Sequence, residues 1–259
     1  MKILEAGARI VFGKLLPRLP YPVLRGPLRG SRYILGATAG AAGGVSVHLG
    51  FQEVEQSRCL TSLLRTGQVF FDVGANVGYY SLLASKILHG SGRVIAFEPS
   101  PRNLAFLYRH VRLNKAKNVT ILPLACADAL SAQLFFGGEN NAMGRLGEIE
   151  GEPSRAAETL IATVSIDHAA ELLKLRPDVI KIDVEGAERQ VLEGAIDTLT
   201  RLRPAVLLSV HSDELRENCL LRLREFDYQI EPLNSSSIAS ATEFLARPSA
   251  RQDSHPPSR

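Results

Sequence analysis

Val69-Phe70-Phe71-Asp72-Val73-Gly74-Ala75-Asn76-Val77-Gly78-Tyr79-Tyr80 is the stretch that decides the fold. Its first five residues are β-branched or aromatic apart from Asp72, as a buried strand requires. Gly74 and Gly78 then mark a tight turn, because glycine accepts positive φ and leaves room for close approach to the backbone. From there Val77, Tyr80, Ala84, Ile87 and Leu88 fall on one helical face, and Gly90 stands where that helix should stop. A strand, a glycine turn and a helix in that order open an α/β sheet.

The same alternation continues along the chain. Arg93–Phe97 reads as a second strand, and Ser100-Pro101 as an N-cap with proline in the first turn of a helix striped by Leu104, Leu107, Tyr108 and Val111. A third strand is expected from Val119. Between Ala129 and Thr163 the periodicity fades among glycines and asparagines, which predicts a hairpin and a mobile loop. Order returns with a strand near Ala162, a helix from about Asp167, a central strand at Asp178-Val-Ile-Lys181-Ile-Asp183-Val, and a helix carrying Val191, Leu192, Ala195 and Leu199. A strand at 205–210, a helix at 213–224 and a strand at 228–233 complete the pattern. The fold class expected is α/β: a doubly wound, mostly parallel Rossmann-like sheet with helices on both faces.

With 259 residues and 45% hydrophobic content, the chain can bury one full core. We expect residues 51–235 to form the main domain, 1–50 a basic helical lead-in or substrate cap, and 236–259 a poorly ordered tail rich in Ser, Pro and Arg. The net charge of +3 is mild, and nucleic acid binding is not expected from it. Most of the positive excess lies early, in Lys2, Arg9, Lys14, Arg18, Arg25, Arg29 and Arg32 against Glu5. That segment could favour weak contact with an anionic membrane surface, or it could be an ordinary surface helix. Charges interrupt its apolar run, so neither a signal peptide nor a membrane span is expected. Cys59, Cys126 and Cys219 are too far apart for a CxxC pair, which fits a reducing, cytoplasmic setting.

In open α/β sheets the ligand lies beyond the carboxyl ends of the strands, beside the first strand-to-helix turn. Asp72 at that point would repel a dinucleotide pyrophosphate, whereas S-adenosylmethionine brings a cationic sulfonium and ammonium that a carboxylate stabilises. The glycine spacing Gly-x-x-x-Gly also departs from the dinucleotide pattern. Glu98 ends the second strand, about 20 residues past the last loop glycine, where a carboxylate can accept from both ribose hydroxyls. The cofactor-binding set expected is therefore Asp72, Gly74, Ala75, Asn76, Gly78, Tyr79 and Glu98, with Asp128 a weaker candidate for the adenine amino group. A nicotinamide-dependent oxidoreductase on a similar sheet is the alternative, which fold alone does not exclude.

Phe70-Phe-Asp-Val-Gly-Ala-Asn-Val-Gly-Tyr-Tyr-Ser81, Ala96-Phe-Glu-Pro99, Ile180-Lys-Ile-Asp-Val-Glu-Gly-Ala-Glu188, Val191-Leu-Glu-Gly-Ala195 and Arg203-Pro204 together resemble the FkbM family of S-adenosylmethionine-dependent methyltransferases, over roughly residues 50–233. The resemblance implies transfer to a hydroxyl oxygen of a small molecule, sugar or glycan. Its fourth-strand motif gathers Lys181, Asp183, Glu185 and Glu188, and His211 ends the neighbouring strand. These five are the catalytic candidates, since removing an acceptor proton needs a carboxylate or histidine nearby. Strand alternation puts Lys181 and Asp183 on one side, where a structural ion pair is an equal reading. Glu185, Glu188 and His211 could also hold a divalent cation that acidifies the hydroxyl. The general base, the acceptor, the need for a metal and the oligomeric state are left open by the sequence.

Overall fold

A computed structural model describes residues 18–38, 44–137, 144–146 and 158–250. Residues 1–17 of the expected lead-in, residues 138–143 and 147–157 of the expected mobile loop, and residues 251–259 of the expected tail lie outside these.

In chain order the strands are β1 (Pro20–Pro22), β2 (Arg32–Ile34), β3 (Val69–Val73), β4 (Arg93–Phe97), β5 (Val119–Leu122), β6 (Ala125–Cys126), β7 (Ser131–Gly137), β8 (Gly144–Leu146), β9 (Glu158–Val164), β10 (Val179–Ile182), β11 (Ala205–Ser209), β12 (Tyr228–Pro232) and β13 (Glu243–Pro248). The helices are α1 (Val45–Leu49), α2 (Val54–Leu63), α3 (Tyr79–Ile87), α4 (Pro101–Leu113), α5 (Ile166–Leu173), α6 (Glu188–Glu193) and α7 (Asp213–Glu225), with a π-helical turn at Thr198–Leu202.

Seven strands form the main sheet in the order β12-β13-β11-β10-β3-β4-β5, and β10, β11, β3, β4 and β5 run parallel. From β3 the chain winds outward through β4 to β5, then returns to the other side of β3 as β10. The order thus reverses between β3 and β10, and their carboxyl ends open the crevice where α/β sheets bind ligands. The two faces follow the period of the strands. Phe71, Ile95, Ile180 and Leu208 pack on one face with α5, α6 and α7 residues, while Phe70, Val94, Val179 and Leu207 pack on the other against α2, α3 and the N-terminal hairpin. Asp72 and Lys181 stand side by side in that second row, polar residues within an apolar face.

Two expectations need correction. Glu243–Pro248, assigned to a loose tail, enters the sheet as β13, antiparallel to both β11 and β12. Phe244, Leu245 and Ala246 are buried there, which offsets the cost of ordering the serine-rich turn before it. Within 1–50, the described part is chiefly a β-hairpin, β1 with β2, followed by the single-turn α1. The hairpin is fastened to α4 through His110. The Ile34 N–H donates to His110 Nε2 at 2.9 Å, so Nδ1 carries the proton and donates to the Val77 carbonyl at 2.6 Å. Burial pushes His110 down to about 4, keeping it neutral for both bonds. The expected hairpin between the third and fourth principal strands is present as β7 paired with β9, in a small separate sheet of order β6-β9-β7-β8. Among the described residues no helix is long and apolar enough to cross a membrane.

Candidate active site

The loop after β3 is built on the end of β4. Gly74 and Ala75 N–H groups both donate to the Phe97 carbonyl, at 3.0 and 2.9 Å. Asn76 N–H donates to Glu98 Oε2 at 2.7 Å, with Asn76 itself at φ 51. Glu98 Oε1 accepts from Ser100 N–H at 2.8 Å and from the Asn103 amide at 3.3 Å. Glu98 is thus both a wall of the cleft and the clamp that sets the loop's shape.

Gly74 is required for a reason other than room for a ligand. A Cβ there would lie 1.9 Å from the Asp183 carbonyl oxygen, because the β3 and β10 ends cross closely, and its φ is +82. A Cβ on Gly78, at φ +93, would lie 2.5 Å from Leu107 Cδ1. The glycines serve backbone packing, and the cleft gains its shape from that.

Asp72 is 1% exposed and does not line the cleft. Ser81 Oγ donates to its Oδ2 at 2.5 Å, and Oδ1 makes no hydrogen bond. Burial pushes its carboxyl up to about 6, partly offset by the neighbouring Lys181 ammonium. Tyr79 does line the cleft, yet its hydroxyl is held by Ser57 Oγ at 3.0 Å and the Gln52 carbonyl at 3.3 Å, so it ties α3 to α2. Asp128 is exposed and stands apart from the cleft, whose wall there is Leu124, Ala125 and Cys126.

At the end of β10, Lys181 Nζ donates to Asp183 Oδ2 at 2.7 Å and lies 4.5 Å from the centre of the Tyr80 ring. Burial alone would push this ammonium down, but Asp183, Glu53 and Asp72 outweigh it and hold Lys181 above its ordinary value. The ion pair foreseen from strand alternation is present. Glu185 sits in the turn before α6 with φ 56, and Glu188 opens α6. They do not face the same way. Glu188, 0% exposed, accepts from Gly186 N–H at 3.0 Å and meets His211 Nδ1 at 2.7 Å. Glu185 Oε2 approaches the opposite ring nitrogen, Nε2, at 3.3 Å, and Asp183 Oδ1 lies 3.5 Å from it. The imidazole is therefore flanked by carboxylates on both nitrogens, and the Glu188 bond, against burial, raises it above its ordinary value.

A cation would find a different ligand set from the one expected. Ligand atoms of Asp183, Glu185 and His211 lie within 4.8 Å of one another, whereas Glu188 is already committed to Nδ1. Sequence reasoning missed two further carboxylates at this end. Glu53 and Glu243 line a second hollow, beside the cofactor cleft, that includes Asp183, Glu185 and His211. Glu53 arrives from the loop before α2, where Gly50-Phe-Gln-Glu53 resembles a lead-in segment of some family members, and it lines the cofactor cleft as well; Glu243 arrives from β13.

Burial pushes Glu98 up to about 7 from an ordinary 4.5, against the pull of its three N–H donors. A carboxyl raised on folding stabilises the fold fully below its unfolded value, and that contribution is lost as pH rises through the folded one. Glu98 should therefore withdraw stability between about pH 4.5 and 7, to roughly 3 kcal/mol. Asp72 acts in the same direction, so Glu98→Gln is expected to reduce the slope of ligand-free stability against pH, as read by urea denaturation. An unchanged slope would show Glu98 to be ordinarily ionised.

The parallel sheet, the switch point and the cleft at the ends of β3, β4 and β10 are those of a class I S-adenosylmethionine-dependent methyltransferase. A family model for the methyltransferase FkbM domain matches residues 72–239, and the chain belongs to that family. The nicotinamide alternative is set aside by that match. Hexuronic acid methyltransferase AglP of Haloferax volcanii is 28% identical over 162 residues, 62% of this chain and 63% of its own length. The chain thus covers less than two thirds of that relative. A candidate rRNA methylase from Clostridium thermocellum shares the fold at TM-score 0.51 and 10% identity, over 75% of this chain and 94% of that one. Methyltransferase FkbM from Methylobacillus flagellatus gives TM-score 0.48 at 19% identity, over 80% of this chain and 53% of that one.

Proposed function

We propose that this chain methylates a hydroxyl oxygen of a sugar or similar polyol, with His211 as general base. The observation that carries this reading is the Glu188–His211 bond of 2.7 Å at the carboxyl end of β11, beside the cleft. S-Adenosylmethionine, when bound, supplies an electrophilic methyl group on a sulfonium. Glu98 is the group to hold the ribose hydroxyls, and the loop after β3 fixes where the reacting end lies. Glu188 holds Nδ1–H, so that the neutral imidazole presents Nε2 to an acceptor hydroxyl. In that methyl transfer His211 Nε2 would take the proton that the acceptor hydroxyl gives up. The products are a methyl ether, S-adenosylhomocysteine and an imidazolium that Glu185 and Asp183 stabilise. Kinship with a hexuronic acid methyltransferase makes sugars the first acceptors to try.

Incubation with labelled S-adenosylmethionine and a panel of neutral sugars, amino sugars and uronic acids is expected to yield a methyl ether. Absence of S-adenosylmethionine binding by calorimetry, or transfer solely to nitrogen or carbon acceptors, would overturn the proposal. The grouping of Asp183, Glu185 and His211 favours one second reading, a cation that acidifies the hydroxyl. Loss of turnover on thorough demetallation, with recovery on adding a divalent ion, would put that reading first.

A further inference from the structure

The base fixes where an acceptor stands, and the wall around it fixes the charge that acceptor can bear. His211 turns Nε2 to Asp183 and Glu185, so a hydroxyl that reaches this nitrogen lies in the hollow beside the cofactor cleft. Five carboxylates line that hollow, Glu53, Asp183, Glu185, Asp213 and Glu243, against Arg216. Two of them are already neutralised. Lys181 Nζ bonds Asp183 at 2.7 Å and Arg216 bonds Asp213 at 2.8 Å, while Glu185 lies 3.3 Å from the imidazole. Glu53 accepts from the Gln52 amide at 2.6 Å, and the Glu243 side chain has no hydrogen bond or ion pair among the described residues. Burial, and next the Glu53 charge, push Glu243 up to about 7, with Lys181 opposing them in part. Neither acid has an ion-pair partner of its own.

Tyr80 gives a separate sign that a ligand belongs here. It is 6% exposed and lines the cleft together with Glu53, Asp183 and Glu185, the three carboxylates that the cleft shares with the hollow. Its hydroxyl has no hydrogen-bond partner, and Glu53 is the carboxylate that acts on it. A phenol oxygen and a carboxylate that both lack a donor suit an ammonium, which carries three N–H groups. An anionic group would meet like charge instead.

Resting on the proposed transfer to oxygen with His211 as base, we infer that the acceptor carries a protonated amine, as an amino sugar does, and that Glu53 and Glu243 hold it while a hydroxyl meets Nε2. The amine stays protonated, so it has no lone pair to take the methyl group. This chain then differs in acceptor charge from the hexuronic acid methyltransferase it is similar to. Glu243 lies outside the span matched by the family model.

Initial rates with labelled S-adenosylmethionine at pH 7 test this on glucosamine, N-acetylglucosamine, glucose and glucuronic acid, and on their galactose counterparts. In kcat/KM the amino sugar should exceed its neutral and acetylated forms about tenfold or more, with the uronic acid last. Glu243→Gln should cut the preference for amine over neutral sugar about tenfold, through KM, and Glu243→Lys should put the uronic acid ahead of the amino sugar. Because Glu243 lines the hollow and not the cofactor cleft, both variants should bind S-adenosylhomocysteine within about twofold of wild type, which also shows that they fold. A uronic acid preferred by wild type, a preference unchanged in Glu243→Gln, or a loss of S-adenosylhomocysteine binding with that substitution would overturn the inference. So would turnover of uronic acids that depends on an added divalent ion, since a metal would then occupy the hollow. Transfer to nitrogen alone, or no binding of S-adenosylhomocysteine by wild type, is a separate result, which would remove the reading beneath the inference.

Discussion

Replacing His211 by asparagine is expected to lower kcat by about 10²- to 10⁴-fold, the usual worth of a positioned general base. The expectation rests on orientation as much as on chemistry. Glu188 has no access to solvent and bonds Nδ1 at 2.7 Å, so the ring is fixed with Nε2 toward Asp183, Glu185 and the second hollow. The base works in its neutral form, and its carboxylate neighbours favour the charged one. Activity should therefore climb with pH through a midpoint above the ordinary 6.5 of a histidine. Glu188→Gln removes the leading cause of that shift and should move the midpoint down, with a smaller loss of kcat at high pH. His211→Asn should abolish the limb altogether while leaving S-adenosylhomocysteine affinity near wild type. Retention of activity within a few fold of wild type in His211→Asn would transfer the proton to another acceptor, with Asp183 and Glu185 next in reach.

The sheet and the cofactor loop were legible in the sequence because each depends on short-range spacing. Val69–Val73 followed by two glycines can hardly be anything but a strand and its turn, and Glu98 follows at the end of the next strand. The Glu188–His211 bond was half legible. Both residues end neighbouring parallel strands or begin the helix beyond, but only the αL turn at Glu185 decides that the two glutamates flank the ring from opposite sides. As site residues Glu53 and Glu243 were not legible. Both reach the site through long-range packing, and β13 carries too few apolar residues after a serine-rich stretch to stand out by pattern. Asp72 proves to be buried behind the cleft and bonded to Ser81, whereas Tyr79 lines the cleft with its hydroxyl turned to Ser57. A loop motif identifies which residues cluster, and the bonds they make with one another decide which are left to meet a ligand.

Gly74→Ala should be among the most damaging single-methyl additions this chain can suffer, costing more than about 4 kcal/mol of stability or preventing folding. The new Cβ would stand 1.9 Å from the Asp183 carbonyl oxygen and 2.8 Å from its carbonyl carbon. Neither atom can yield easily. Asp183 N–H donates to the Val73 carbonyl at 3.0 Å, locking β10 to β3 one residue from the clash, and Gly74 N–H is itself bound to Phe97. A φ of +82 adds a cost of about 1–2 kcal/mol for any residue with a Cβ. Relief would require the loop to lift from β4, which breaks the bonds of Ala75 and Asn76 and frees the Glu98 clamp. Gly67→Ala and Gly90→Ala separate the two costs, since their φ values are +88 and +79 but nothing lies within 4 Å of a Cβ at either site. Urea denaturation should show those controls losing only about 1–2 kcal/mol. If Gly74→Ala lost no more than they do, the β3 and β10 ends would not be as closely crossed as the carbonyl contact requires, and the cleft between them would owe its shape to something other than this glycine.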